Sequence, residues 1–407
     1  MRKVIIFTAL FLLAITMCTS VFADKSTDDN TIDIGLYYGS HALESVTLDV
    51  DGVSYVVNSA DVVDIIEYAS VNAEPVSVDS KAYRGSIILK KDTNGLLTVI
   101  NRVDMEDYIT AVTAVEMSPS WHIEALKVQA VCARTYAMRN MNKHSKYGFD
   151  LCSSVDCQAY KGMSAESDTT RQAALETAGQ CMTYNGEVID AVYSATSGGY
   201  TEDVKNVWGS NLPYLAAVED PYESKDCYGS SWSKTISVEK ATEIMNSKGY
   251  EIGTVTDIII DSVTERGVVT QMTVKGTAGE KTFKRESCRL AFGSVVLSQA
   301  FTVTPNSDAT TVEKLVYAWK NKKLTDKVYV LSSKGVSAIS IKNAHFLGES
   351  AKTPEPEIKL PATSFTFDGR GYGHLVGMSQ NGAKGMAEAG FTYDEILKHY
   401  YKGIELN

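Results

Sequence analysis

The sequence predicts an α+β fold: a β-rich amino-terminal part, a core built round a central helix pair, and a β-rich inserted segment. Three observations predict it. Apolar and polar residues alternate with a period of two from Thr31 to about Lys91. The period then changes to that of a helix from Asp104 to Asn140, and alternation returns from about residue 230 to 303.

The first alternating region holds Ile32-Asp33-Ile34-Gly35-Leu36-Tyr37-Tyr38, then Val46 to Val50 and Val53 to Val57 joined by an Asp51-Gly52 hairpin turn. Leu97 to Val103 reads as a further strand that leads directly into the helices. The first helix runs from Asp104 to Met117, capped by Asp104 with Asp107 three residues on, and buries Tyr108, Val112 and Val115. The second, Trp121 to Asn140, is opened by Pro119 and Ser120, with Ser120 accepting from an orphan amide. Its apolar face is Ile123, Leu126, Ala130, Ala133 and Ala137.

A loop from Lys143 to Gly162 follows, then a short helix over Arg171 to Gly179. Strands at Cys181–Tyr184 and Val188–Tyr193 flank an Asn185-Gly186 turn and run into Ser194 to Glu202, a small-residue loop expected to expose its backbone and hydroxyls. Later strands are Ile258–Ile260 and Val268–Val274. Residues 304–361 read as an added segment with a hairpin-like Lys327–Ile341 and a Pro-Glu linker. Beyond Gly369-Arg-Gly371-Tyr-Gly373, a helix from Ser379 to Ala389 stops at Gly390, and Thr392 with Glu395 forms a capping box for the last one.

Residues 1–23 have the form of a secretory leader: Arg2 and Lys3, an apolar run from Val4 to Met17, and Val21-Phe22-Ala23 as a cleavage site. The segment is also just long enough for an uncleaved anchor. Without it the chain keeps 37 of its 39 basic residues against 50 acidic ones, a balance of −13. That argues against nucleic acid and other polyanions as partners and is compatible with a weakly charged polymer such as a glycan. Six cysteines remain, enough for full pairing in an oxidising compartment, though a chain of this length does not need staples.

Glu116 is the residue with the most chemical promise. It sits where the two helices meet, between Val115 and Met117 and near Trp121. Apolar surroundings favour the protonated carboxyl, which could then donate a proton near neutral pH. The positive end of the following helix pushes the other way. Cys152 and Cys157 form either a local disulfide or, with His144, a metal loop, since zinc takes thiolates and imidazole. Gly369 to Gly373 opens no βαβ unit and reads as a turn needing close backbone approach, with His374 beside it. Ser194 and Ser197 lie in no nucleophile elbow.

Several blocks resemble one family. Tyr108-Ile-x-x-Val112-x-x-x-Glu116-Met117 and Pro119-x-Trp121-x-x-Glu124-Ala125-Leu126-Lys127-x-Gln129-Ala130-Val131-x-Ala133-Arg134-Thr135-Tyr136-Ala137 are similar to the signature of the SpoIID/LytB family. Asp150 to Gly162, Ser197-Gly198-Gly199-x-Thr201-Glu202, Val207-Trp208-Gly209 to Asp220-Pro221, and Gly373-His374-x-Val-Gly377-Met378-Ser379-Gln380 agree with it in order. The resemblance covers most of 95–303 and 365–403. It implies a SpoIID-type core over 95–303, completed by 362–407, with 24–94 as a β-rich amino-terminal region and 304–361 inserted. Leu375 stands where the family usually has glycine, and is expected to narrow the groove beside His374.

The resemblance further implies an extracytoplasmic peptidoglycan-acting protein of a spore-forming, Gram-positive bacterium. The expected activity is a lytic transglycosylase cutting denuded glycan strands to 1,6-anhydromuramic acid ends, with Glu116 as its acid. Tyr108, Trp121, Ser194, Ser197, Thr201, His374, Ser379 and Gln380 are the expected substrate-binding residues, and Arg134 a structural one. No cofactor is required for such chemistry, though some members hold a structural zinc in the loop matching His144–Cys157. The rival class is a non-catalytic wall-binding enhancer of an amidase. A third is a structural partner of an amidase and a membrane scaffold.

Overall fold

The computed structural model describes residues 30–307, 327–332, 335–340 and 361–407. The leader or anchor expected over 1–23 and most of the inserted segment lie outside the described residues. No helix among the described residues is long and apolar enough to cross a membrane. The fold is α+β, in two compact units: one holds the described residues up to Lys205 with Gly209–Ser230 and Leu375–Asn407, the other Asn206–Trp208 and Ser231–His374. This boundary falls inside the 95–303 span that the sequence groups together.

In the first unit, strands β1 (Thr31–Tyr37), β2 (Ser45–Val50), β3 (Val53–Asn58), β4 (Ile65–Ala69), β5 (Val76–Val78), β6 (Lys81–Tyr83), β7 (Ser86–Lys91), β8 (Leu97–Asp104) and β9 (Leu151–Cys152) form two sheets. Their orders are β4-β7-β8-β1-β9 and β3-β2-β5-β6. The register of β1 against β8 places Ile32 opposite Val103 and Ile34 opposite Asn101. Short β9 joins β1 in parallel, so the loop that contains it is tied to the sheet edge.

Strand β8 runs straight into helix α1 (Met105–Glu116), and α2 (Ile123–Asn140) follows after a six-residue corner. Asp104 caps α1 by accepting from the Glu106 amide. Asp107 takes no part in that cap and pairs instead with Arg171. Helix α2 is capped by His122, whose Nδ1 accepts from the Glu124 amide at 3.3 Å, rather than by Ser120. The Ser120 hydroxyl bonds Ser118 within the corner. Val115 is only partly buried, because the last turn of α1 leaves the core.

Tyr108, Ile109 and Val112 of α1 meet Ala130, Ala133 and Ala137 of α2 in one core with the sheet residues Ile32, Ile34 and Val99. The alanines bring the helix backbones close, and Arg134 crosses between them to pair with Glu106 and to donate to the Gln180 and Ala174 carbonyls. That confirms Arg134 as structural. Helix α3 (Asp168–Glu176) starts three residues earlier than expected, on a Ser167 cap. The expected strand over Val188–Tyr193 is only two fragments, Glu187–Val188 and Tyr193–Ser194. The second fragment pairs in parallel with Met378–Ser379, just before α4 (Gln380–Glu388) and α5 (Tyr393–Tyr400).

In the second unit, the strand Ser364–Arg370 lies between Ser231–Ser237 and Ala300–Asn306, antiparallel to both. A three-stranded meander, Val255–Val263, Val269–Gly276 and Gly279–Lys284, shares its core, where Phe365, Phe367, Met272 and Val274 pack with Met245. Lys327–Ser332 and Gly335–Ser340 make the expected hairpin. Gly369 lies against the Trp232 ring, where a Cβ would come within 2.2 Å of it, so the close approach read from the sequence is real.

Candidate active site

Glu116 is the last residue of α1, and burial and three hydrogen-bond donors act on its carboxyl. Burial acts most strongly and raises its pKa above the ordinary carboxyl range, against hydrogen bonds from Gln380, the Ala159 amide and the Tyr193 hydroxyl that lower it. The Gln380 Nε2 donates to Oε2 at 3.1 Å and also lies 3.3 Å from the Glu116 carbonyl. Behind Tyr193 stands Gln158, whose Nε2 donates to the Tyr193 hydroxyl at 3.2 Å and whose Oε1 accepts from Tyr108 at 3.0 Å. No base occurs among these partners. The arrangement is a half-buried carboxyl poised to hold and release one proton.

The loop that carries Gln158 and Ala159 also carries a cluster of metal-type ligands. One ligand atom each from His144, Cys152, Asp156 and Cys157 lies within 4.8 Å of all the others. His144 Nε2 is 3.3 Å from Cys157 Sγ and 3.4 Å from Asp156 Oδ2. Ligands about 2.0–2.3 Å from a tetrahedral zinc stand roughly 3.3–3.8 Å apart, so the residues present fit that ion. All six cysteines of the described residues are free thiols, so the Cys152–Cys157 disulfide is not formed. A hydrogen bond from Cys157 instead draws the Cys152 thiol toward the thiolate, the form that binds metal.

A second carboxyl pair, Asp220 and Glu223, is buried in the same unit. Glu223 Oε2 accepts from the Ser197 amide at 2.7 Å and the Ser379 hydroxyl at 2.7 Å, and Oε1 from the Gly198 amide at 2.8 Å. Asp220 accepts from Ser197 at 2.8 Å and Tyr400 at 2.9 Å. Burial pushes Asp220 up to about 6, with the charge of Glu223 adding to it. Ser379 also caps α4 through the Gly382 amide. The knot therefore fixes the start of α4, and with it Gln380, under Glu116.

These contacts correct several expectations about ligand contact. The Ser194–Glu202 loop does not expose its hydroxyls: Ser194, Ser197 and Thr201 are buried, and Thr201 exchanges hydrogen bonds with Val218. Ser379 is buried in the knot and Tyr108 in the core, so neither presents a surface to a sugar. Leu375 is buried too, with φ +67°, and narrows no groove; its left-handed backbone explains why glycine suits the position. Gln380 faces Glu116, whereas Trp121 stays partly exposed under Lys384 Nζ, 5.4 Å from its ring centre. His374 belongs to the second unit, its ring 4.9 Å from that of Trp208.

Sequence reasoning missed Gln129, Tyr193, Asp156, Asp220 and Glu223. Gln129 carried a signal: it interrupts the apolar face of α2 between Leu126 and Ala133, and a polar residue there must find a partner or serve one. Asp156 sat inside the cysteine loop in plain view. The Asp220–Glu223 pair joins segments too far apart in sequence for spacing to reveal.

Residues 93–184 match the family model of the Stage II sporulation protein, SpoIID. The chain is 33% identical over 296 residues to the "Amidase enhancer" of Bacillus subtilis (strain 168), an alignment covering 72% of this chain and 39% of that protein. It is 28% identical over 361 residues to the "Stage II sporulation protein D" of the same organism, covering 83% of this chain and 87% of that one. Over residues 93–184 the chain is similar to the SpoIID family. The Bacillus amyloliquefaciens protein of the same name aligns over 76% of this chain at 27% identity. The span matched to the SpoIID model contains Glu116, Gln129 and all four metal-type ligands; the Asp220–Glu223 knot and Gln380 lie beyond it.

Proposed function

We propose that this chain is an extracytoplasmic lytic transglycosylase acting on the glycan strands of peptidoglycan, with Glu116 as its acid and base. The observation that carries the reading is the Glu116 carboxyl: half-buried, raised in pKa, and held by three donors. In this reaction the C6 hydroxyl of the muramic acid attacks its own anomeric carbon. Glu116 gives its proton to the departing glycosidic oxygen as the C1–O bond breaks. It then takes the proton of the C6 hydroxyl as the new C1–O6 bond forms, and ends protonated as it began. No water is consumed, so one carboxyl suffices where most glycosidases need two. Asp220 and Glu223 are engaged in their own buried knot, which fits a single-carboxyl scheme.

Trp121, partly exposed beside the corner, is the apolar face on which a sugar ring would rest. His144, Cys152, Asp156 and Cys157 would hold a structural zinc. Such an ion would clamp the loop whose Ala159 amide meets Glu116. Bound there, zinc supplies rigidity and no step of the reaction.

The second reading, favoured by the 33% identity to a protein named for enhancing an amidase, is a wall-binding enhancer without activity of its own. Denuded glycan strands incubated with the chain alone, then with a cell-wall amidase and intact peptidoglycan, separate the two. The proposal expects 1,6-anhydromuramic acid ends by mass spectrometry in the first incubation. Their absence, with faster stem-peptide release in the second, would establish the enhancer.

A further inference from the structure

The amide of Gln380 is over-subscribed while that of Gln129 is half idle. Gln380 Nε2 has two hydrogens but three acceptors within reach: Glu116 Oε2 at 3.1 Å, the Glu116 carbonyl at 3.3 Å and Gln129 Oε1 at 3.2 Å. Gln129 is fully buried, yet its Nε2 has no partner among the described residues. An orphaned buried donor costs on the order of 1–3 kcal/mol, a cost a fold rarely keeps beside a reactive group without return. Every donor round Glu116 in this arrangement points at the carboxylate, so the network is drawn for the ionised acid. A protonated Glu116 needs a neighbour that accepts. Tyr193 already accepts from Gln158.

We propose that Gln380 and Gln129 are a positioning pair whose two amides exchange ends together, following the proton on Glu116. With Glu116 ionised, Gln380 donates to it and to Gln129, as seen here. With Glu116 protonated, Gln380 Oε1 accepts from the carboxyl and from Gln129 Nε2, so that the unpartnered end of Gln129 becomes its oxygen instead of its donor. The two ends of an amide are nearly equal in size, so the exchange needs no repacking of the core. The pair thus offers a hydrogen bond to both forms of a group that must act first as acid and then as base. The groups that act on the carboxyl are burial, Gln380, the Ala159 amide and Tyr193. Tyr193 in turn faces Tyr108 and Cys132, and burial keeps both phenols and that thiol protonated. Glu116 is therefore the group whose titration the pair follows.

The inference rests on Glu116 as the proton carrier, but its test needs no turnover. In the full chain labelled with 15N-glutamine, the side-chain amide signals of Gln129 and Gln380 are followed across the titration of Glu116. The pair predicts that the Gln129 amide protons move downfield as pH falls, with the same midpoint as the Glu116 carboxyl carbon. That movement vanishes in Glu116→Gln and in Gln380→Met. A Gln129 signal that stays flat while Glu116 titrates would overturn the exchange. Titrating Gln129 signals in a protein that makes no anhydro ends would instead keep the pair and remove the enzymatic reading.

Discussion

At the residue scale the reading turns on a single carboxyl whose surroundings disagree about its charge. Burial favours the acid, and three donors favour the anion, with burial ahead. Tyr193→Phe removes one of those donors without changing the packing. Glu116 then holds its proton to higher pH, and the loss of turnover on the alkaline side moves upward; pH–rate profiles of the two proteins check this. An unchanged limb would mean that Tyr193 does not reach the acid in the working state. Glu116 itself was legible because the motif around it is local. The groups that tune it were not, since Ala159, Tyr193 and Gln380 come from three separate segments and only the fold assembles them.

The element that most directly serves the site is the loop from Lys143 to Gly162. Its middle is tied to the sheet through β9 and its far end places Gln158 and Ala159 beneath Glu116. Metal analysis of the purified chain is expected to give one zinc per molecule, and a chelator to lower its melting temperature. Asp156→Ala, which removes an exposed ligand and no core contact, is expected to weaken zinc binding by at least about 10-fold, the loss typical of even a ligand's hydrogen-bond partner, read by competition with a chromophoric chelator. Unchanged affinity would leave three protein ligands. The sequence showed this loop's cysteines but left their pairing open, because spacing alone does not distinguish a bridge from a cage. Helix ends were read less well: His122 rather than Ser120 caps α2, since Ser120 turns back on Ser118.

Across the whole molecule, the alternation of apolar residues was enough to announce both β-rich units and the helix pair, because each pattern is local and long. The division into two units was not readable, as it depends on which strands share a core. Stability carries the mark of the buried Asp220. Its pKa is raised from the ordinary 3.8 to about 6, so the folded state binds a proton that the unfolded state has released between those values. Its contribution is therefore present below about pH 4 and lost as pH rises through about 6, up to about 3 kcal/mol at 1.36 kcal/mol per unit. The melting temperature is expected to fall over that window, and Asp220→Asn to flatten the fall. A steeper slope in the variant would assign it to another group. The most direct test of the account as a whole is the yield of 1,6-anhydromuramic acid ends from denuded glycan strands by the chain and by Glu116→Gln. The account predicts a loss of about 10²–10⁴-fold in the variant with glycan binding retained. Equal yields from the two proteins would contradict it.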